Sequence, residues 1–135
     1  MKFSRKRIFL SVVIVLFLIV QVSMAAYLKS VADYQNAVKE TTFSGIDVSD
    51  IPDGVYVGEY DVNFIDVKVE ATVQGGEITD IDILKHKNGR GQSAEIVADR
   101  IIEEQKIDVD AVSGATNSST VIKKAVENAL KGENG

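Results

Sequence analysis

A long apolar run near the N-terminus constrains this chain more than any other feature. Between Ile8 and Val20 the only polar residue is Ser11, and the low polarity continues to Ala26. The run therefore offers about nineteen residues, which is enough to cross a bilayer as a helix. Basic residues precede it, and such a flank keeps the N-terminus in the cytoplasm. We expect residues 1–26 to form an N-terminal membrane anchor.

A cleaved signal peptide is the alternative for the same segment. Ser23-Met24-Ala25 resembles a small-x-small cleavage site, and the apolar run has the length of a signal-peptide core. In either case, we expect the residues after about Tyr27 to lie outside the cytoplasm. With the anchor retained, we expect a single-pass protein of the cell membrane, with a cytoplasmic N-terminus and an extracytoplasmic C-terminal domain.

The charge of the exported part argues against nucleic acid as a partner. The whole chain has 15 Lys and Arg against 20 Asp and Glu, a net charge of -5. Without the four basic residues of the leader, 11 positive charges face 20 negative ones, which leaves -9. Nucleic-acid binding needs clustered Lys and Arg to replace phosphate counterions, so we expect no nucleic-acid partner. The absence of cysteine excludes disulfides and thiolate-bound metal.

Residues 27–52 have the pattern of a stalk or linker. Apolar residues first recur at helical spacing, so that the anchor helix continues or a short stalk helix follows. These residues are Leu28, Val31, Tyr34 and Val38. A segment with hydroxyl residues, Gly45 and the sole proline, Pro52, comes next. We expect the globular domain to occupy residues 53–135.

The domain begins with predicted strands. Residues 54–62 are rich in Val and Tyr, which favours a strand. The next strand lies within residues 63–73, where apolar and polar side chains alternate as in a sheet with one face on a core. Its apolar positions are Val67, Val69, Ala71 and Val73. Adjacent glycines in residues 74–76 predict a hairpin turn, and the returning strand runs from Ile78 to about Leu84.

Amphipathic helices complete the predicted domain. One apolar stripe lies within residues 94–102 and another within residues 121–130, both at the 3.6-residue period of a helix. Gly132 is placed to end the second helix as a C-cap. This order of elements predicts an α+β fold, in which a small antiparallel sheet is covered by two helices and preceded by an N-terminal transmembrane helix.

The loop before the second helix, residues 110–119, has the composition of an anion site. Backbone N–H groups at a helix N-terminus and the positive end of the helix dipole favour an anion. Gly114 lets a bulky group approach the backbone closely. The hydroxyl residues of the loop are Ser113, Thr116, Ser118 and Ser119. An ordinary N-cap is the alternative, because Ser, Thr and Asn are the usual capping residues, and both roles are compatible.

The run from Asp110 to Ser118 resembles the flavinylation motif of FMN-binding domains, D-x-x-S-G-A-T-x-T/S. In that family a separate flavin transferase joins the last hydroxyl residue of the motif, usually Thr, to the phosphate of FMN as a phosphoester. Ser118 stands in that position here and offers the same oxygen nucleophile. The resemblance implies FMN as the cofactor. Together with the hydroxyl composition of the loop, which adds Ser119, it gives the following expected binding residues: Asp110, Ser113, Gly114, Ala115, Thr116, Ser118, Ser119 and His86.

The resemblance covers residues from about Asp53 to Leu130 and implies an electron carrier rather than an enzyme with its own turnover. A flavin accepts electrons at its isoalloxazine ring, and the protein holds it and tunes its electronics. The expected partners are a flavin transferase and redox partner proteins or diffusible electron carriers. Two alternatives stay open: a protein that binds FMN reversibly, and a membrane-tethered binding or scaffold module in which the loop only caps a helix.

Several polar residues near the motif have two interpretations. Asp110 either orders the loop by an Asx-type turn onto the N–H groups of Ser113 or Gly114, which we favour, or is recognised by the transferase. Thr116 either donates to the phosphate or caps the helix. His86 is either a partly exposed residue at a strand end or a neighbour of the flavin ring, where its protonation would couple to reduction.

Other side chains are expected to be mainly structural. Arg90 is either a solvated loop residue or a partner of the FMN phosphate. Tyr56 and Tyr60 either pack on the domain or stack on the flavin. Glu103-Glu104 and Lys123-Lys124 are expected on the solvated outer faces of the two helices.

Overall fold

The computed structural model describes residues 4–87 and 91–132. The first element, α1 (Arg5–Glu40), is one continuous helix, so the predicted anchor helix runs on into the predicted stalk. Its apolar part has a mean hydropathy of 2.8 and is long enough to cross a bilayer, which makes it a candidate membrane span. The chain forms two compact units, and the boundary between them lies between Asp33 and Tyr34. The last turns of α1, from Tyr34 on, belong to the unit that contains the sheet.

The sheet has three antiparallel strands in the order β1-β2-β3. The strands are β1 (Gly54–Asp61), β2 (Asp66–Gln74) and β3 (Glu77–Lys87). Gly75 and Gly76 form the predicted hairpin turn with φ of +60° and +74°, values that glycine adopts at no steric cost. The side-chain alternation of β2 is also confirmed, because all four predicted apolar positions are fully buried.

Helices cover one face of the sheet. α2 (Gly91–Glu104) packs on β3 and α3 (Thr116–Lys131) packs on β1 and β2. Both apolar stripes contribute to the core, and Gly132 ends α3 in the left-handed conformation with φ of +71°. Its N–H donates to the carbonyls of Ala129 and Asn128, as expected of a C-cap. The predicted α+β fold is confirmed.

The backbone of α3 lies directly against Gly58 in the middle of β1. A Cβ atom on Gly58 would stand 2.2 Å from Ala129 N and 2.4 Å from Ala125 O. Only a residue without a side chain fits between strand and helix here. Gly58 therefore sets how closely α3, and with it the loop at its N-terminus, approaches the sheet.

Residues 34–52, which fall within the predicted stalk or linker of residues 27–52, belong to the compact unit that contains the sheet. Val38 and Val48 are buried in the core. Ser44 donates from its backbone N–H and its hydroxyl to Glu127 Oε1, at 3.3 and 2.9 Å. The buried valines and the hydrogen bonds to Glu127 hold this segment in the unit that starts at Tyr34.

The expectation that Lys123 lies on a solvated face is wrong. Its Nζ donates to Asp108 Oδ1 and to the carbonyl of Val109, both at 2.9 Å, and its side chain is 8% exposed. It also lies 4.9 Å from the centroid of the Phe43 ring. A carboxylate, a carbonyl and an aromatic face together satisfy the ammonium group that burial would otherwise penalise. Glu103 is exposed, as expected.

Candidate functional site

The N-terminus of α3 has no side-chain cap. The N-cap position is Ala115, and the first helical hydrogen bond runs from Ser119 N to Ala115 O at 2.9 Å. Within residues 4–87 and 91–132, the N–H groups of Thr116, Asn117 and Ser118 have no acceptor. These are the donors that a helix leaves unpaired at its start. The hydroxyl residues therefore do not cap the helix, and these N–H donors are available to an anion.

The loop that leads into α3 is held by interactions from behind. Ala115 N donates to Val112 O at 2.9 Å, which closes a turn, and Gly114 has a φ of +78°. Ser119 is fully buried, and its hydroxyl donates to Ala115 O at 2.7 Å and accepts from Val112 N at 3.0 Å. We assign Ser119 to holding the loop rather than to contacting the cofactor.

Arg100 on α2 fastens the start of the same loop. Its Nη1 donates to the carbonyls of Asp110 and Ala111, at 2.8 and 3.2 Å. The Asp110 side chain is exposed, and in the described ranges it accepts no hydrogen bond from Ser113 or Gly114. The predicted Asx-type turn is therefore wrong, since the arginine orders the backbone of Asp110 instead.

A cavity of about 360 Å³ opens in front of the uncapped helix end. Its lining residues are Tyr34, Ile65, Gly114, Ala115, Thr116, Asn117 and Ser118. Binding cavities for small molecules and cofactors usually measure about 300–1,000 Å³, so this one lies at the small end of that range. The loop therefore faces a space of the right order for part of a cofactor.

Ser118 places a hydroxyl in this cavity. The residue is 7% exposed and lines the cavity. Its Oγ has no hydrogen-bond partner in the part of the chain that the structure describes, whereas the hydroxyl of Thr120 donates to Thr116 O at 3.0 Å. The position that the motif assigns to cofactor attachment thus carries an oxygen that the fold itself does not use.

The cavity fits the phosphate of FMN. Unpaired N–H groups and the positive end of the α3 dipole suit an anion. Apart from Gly114 itself and its two chain neighbours, no described residue has a heavy atom within 4 Å of where a Cβ on Gly114 would stand, so the backbone is open to a close approach. The exposed side chain of Thr116 adds a hydroxyl donor at the rim. FMN bound here would supply electron-accepting chemistry at its ring, while the chain holds the phosphate.

Other predicted site residues lie elsewhere. Ser113 is exposed and does not line the cavity. His86 pairs with Val67 across the sheet and is also absent from the lining. Both of its ring nitrogens are buried without a partner among the described residues, and burial lowers the pKa of the imidazole. Arg90, for which a solvated loop position and a phosphate contact were the alternatives, lies outside the described residues.

The tyrosines on β1 serve the packing of the domain. Tyr56 Oη donates to Pro52 O at 2.6 Å, and the hydroxyls of Tyr60 and Thr41 lie 2.9 Å apart. Neither ring lines the cavity. The structural interpretation of both residues is therefore the one that the geometry supports.

Three lining residues are not among the predicted site residues. Ile65 precedes β2, and Asn117 occupies the variable position of the motif. Tyr34 lies far from the motif in sequence and was assigned only to a helical stripe. Asn117 Nδ2 donates to Tyr34 Oη at 2.7 Å, so the end of α1 and the start of α3 meet at the cavity.

Fold and site together define an α+β domain in which an uncapped helix N-terminus faces a cavity. A family model described as the FMN-binding domain matches residues 65–131. The matched region runs from the start of β2 to the end of α3 and contains the whole loop. The globular part of this chain belongs to the FMN-binding domain family, and its cofactor is FMN.

Proposed function

We propose that the protein is an extracytoplasmic electron carrier whose FMN is attached through its phosphate to Ser118. The proposal rests mainly on the hydroxyl of Ser118, which has no hydrogen-bond partner among the described residues and lies at an uncapped helix N-terminus. The N–H groups of Thr116, Asn117 and Ser118 hold the phosphate oxygens, and Ser118 Oγ supplies the ester oxygen. α1 tethers the domain to the cell membrane, with the N-terminus in the cytoplasm.

A phosphoester at Ser118 needs an activated flavin donor and an enzyme. Condensation with free FMN would have to release water, which is unfavourable in aqueous solution. With a flavin dinucleotide as donor, Ser118 Oγ bonds to the phosphorus next to the ribityl chain, the pyrophosphate bond breaks, and the nucleoside monophosphate leaves. The hydroxyl proton passes to a base of the flavin transferase. Among the described residues, the cavity lining holds no Asp, Glu, His, Lys or Arg, which supports catalysis in trans.

The same lining supports a carrier rather than a catalyst. The lining residues that the structure describes provide hydrogen-bond donors and apolar contacts, and none of them is an acid or base that is charged near neutral pH. Electrons would enter and leave at the flavin ring, supplied and removed by redox partner proteins or diffusible carriers. A reversible FMN binder would use the same phosphate loop without the ester, and this is the second candidate function.

In-gel flavin fluorescence tests the attachment. The full-length chain is produced with a flavin transferase, purified in detergent and run on a denaturing gel. We expect a fluorescent band for the parent chain and for Ser118→Thr, and none for Ser118→Ala. Thr120→Ala is the matched control, because it removes a hydroxyl of the same helical turn that does not line the cavity.

The outcomes separate the candidate functions. A fluorescent Ser118→Ala band contradicts the assignment of the ester oxygen. A yellow parent protein that loses all its flavin on denaturation favours the reversible binder. A colourless parent protein, produced with an active transferase and sufficient flavin, favours the scaffold alternative.

A further inference from the structure

We propose that Tyr34, at the end of α1, is the aromatic wall against which the isoalloxazine ring lies. The proposal rests on the FMN site proposed above and adds a residue outside both the motif and the region matched by the family model. It makes the last turns of α1 part of the cofactor site rather than only a tether.

The cavity lining combines polar and apolar groups. Residues 114–118 supply unpaired N–H groups and hydroxyls, whereas Tyr34 and Ile65 supply an aromatic ring and an aliphatic side chain. FMN also combines polar and apolar groups, with an anionic phosphate at one end and a flat aromatic ring at the other. Phosphate binding at the start of α3 therefore directs the ring toward Tyr34 and Ile65, where aromatic contact is favourable.

Tyr34 is fixed in place before any cofactor binds. Its ring packs against Phe64, with centroids 5.4 Å apart and an interplanar angle of 58°. Its Oη accepts a hydrogen bond of 2.7 Å from Asn117 Nδ2 in the first turn of α3. A side chain held at both its ring and its hydroxyl loses little further entropy when it contacts a ligand. This arrangement ties the position of the aromatic wall to the helix turn that holds the phosphate.

The phenol group of Tyr34 can also make a further hydrogen bond. A tyrosine hydroxyl can donate one hydrogen bond and accept others. The bond from Asn117 uses an acceptor position, and the O–H proton of Tyr34 has no acceptor within the described ranges. The phenol is electron-rich, and a phenol in contact with an excited flavin quenches its emission by transferring an electron, which then returns. Tyr34 should therefore leave a spectroscopic mark on bound FMN.

The test compares the emission per bound flavin in four FMN-loaded full-length chains: the parent, Tyr34→Phe, Tyr34→Trp and Tyr56→Phe. Phenylalanine keeps the ring contact with Phe64 but is a poor electron donor, so Tyr34→Phe should be several-fold brighter. Tryptophan is a good donor, so Tyr34→Trp should remain dim. Tyr56→Phe is the matched control, since Tyr56 does not line the cavity, and its brightness should equal that of the parent.

Intact mass, measured on the same samples, keeps this proposal separate from the proposed function. If FMN is attached in all four chains and Tyr34→Phe is as dim as the parent, the placement of the ring at Tyr34 is overturned while the attachment stands. Equal brightening of Tyr34→Phe and Tyr56→Phe overturns it as well. A parent chain without FMN overturns the proposed function itself.

Discussion

Replacing Gly58 by alanine should displace α3 from the sheet. The added Cβ would stand 2.2 Å from Ala129 N and 2.4 Å from Ala125 O, and both atoms belong to the helix backbone. No rotamer change can relieve this overlap, so the helix itself has to shift. Overpacking a core costs about 1–3 kcal/mol, and we expect Gly58→Ala at the upper end, about 3 kcal/mol. For a domain of about 60–100 residues this corresponds to a fall in melting temperature of roughly 10–25 °C.

The matched control is Gly54→Ala in the same strand. A Cβ at Gly54 would meet only the Tyr56 side chain at 3.5 Å, which is an ordinary van der Waals contact. Thermal unfolding of the full-length chain in detergent, followed by far-UV circular dichroism, compares both variants with the parent. Gly54→Ala should unfold close to the parent temperature. A Gly58→Ala variant that unfolds with it would refute the close approach of α3 to β1.

Three further predictions concern the loop, the buried carboxylate and the topology. At φ of +78°, Gly114→Val should destabilise the domain by about 1–3 kcal/mol and Gly114→Asn by less, because asparagine tolerates this conformation; equal melting temperatures would contradict the strain. Burial raises the pKa of Glu127, but hydrogen bonds from Lys131, Ser44 and Lys124 outweigh it and hold the pKa below its ordinary value of 4.5. Its ionised form therefore stabilises the fold above about pH 4.5, and this contribution is lost as the pH falls through the lowered pKa. Urea titrations should show Glu127→Gln less stable than the parent at neutral pH, with a gap that narrows on acidification; a gap independent of pH would contradict this. Because the chain has no cysteine, Glu103→Cys introduces a single thiol on the exposed side of α2, which an impermeant maleimide should label in intact cells, whereas Ser4→Cys should react only after lysis. The reverse pattern would contradict the proposed orientation.

Local periodicity was sufficient to predict most of the sheet and helices. The alternation in β2 and the stripes in α2 and α3 arise from one-sided burial, which leaves a period that a sequence displays directly. The turn at Gly75-Gly76 and the C-cap at Gly132 were predictable for a similar reason, since both require positive φ. The loop at residues 110–118 was predicted from its composition and from its resemblance to a motif rather than from periodicity.

Contacts between segments that are distant in sequence could not be predicted from local periodicity. Tyr34 and Asn117 are 83 positions apart, and neither residue carries a local signal of the hydrogen bond that joins them. Ser44 and Glu127 are separated by the same interval, so a segment with the composition of a linker was not recognised as part of the core. Lys123 illustrates the same limit, because its burial depends on Asp108 and on a carbonyl from the preceding loop.

Peptide mapping of the chain produced with a flavin transferase tests the central claim most directly. Cleavage after Lys106 and Lys123 releases residues 107–123, which contain every hydroxyl residue of the loop and the first turn of α3. The account predicts that this peptide carries FMN and that fragmentation places it on Ser118. An unmodified peptide from a protein that was yellow before denaturation, or a flavin placed on Thr116 or Ser119, would contradict it.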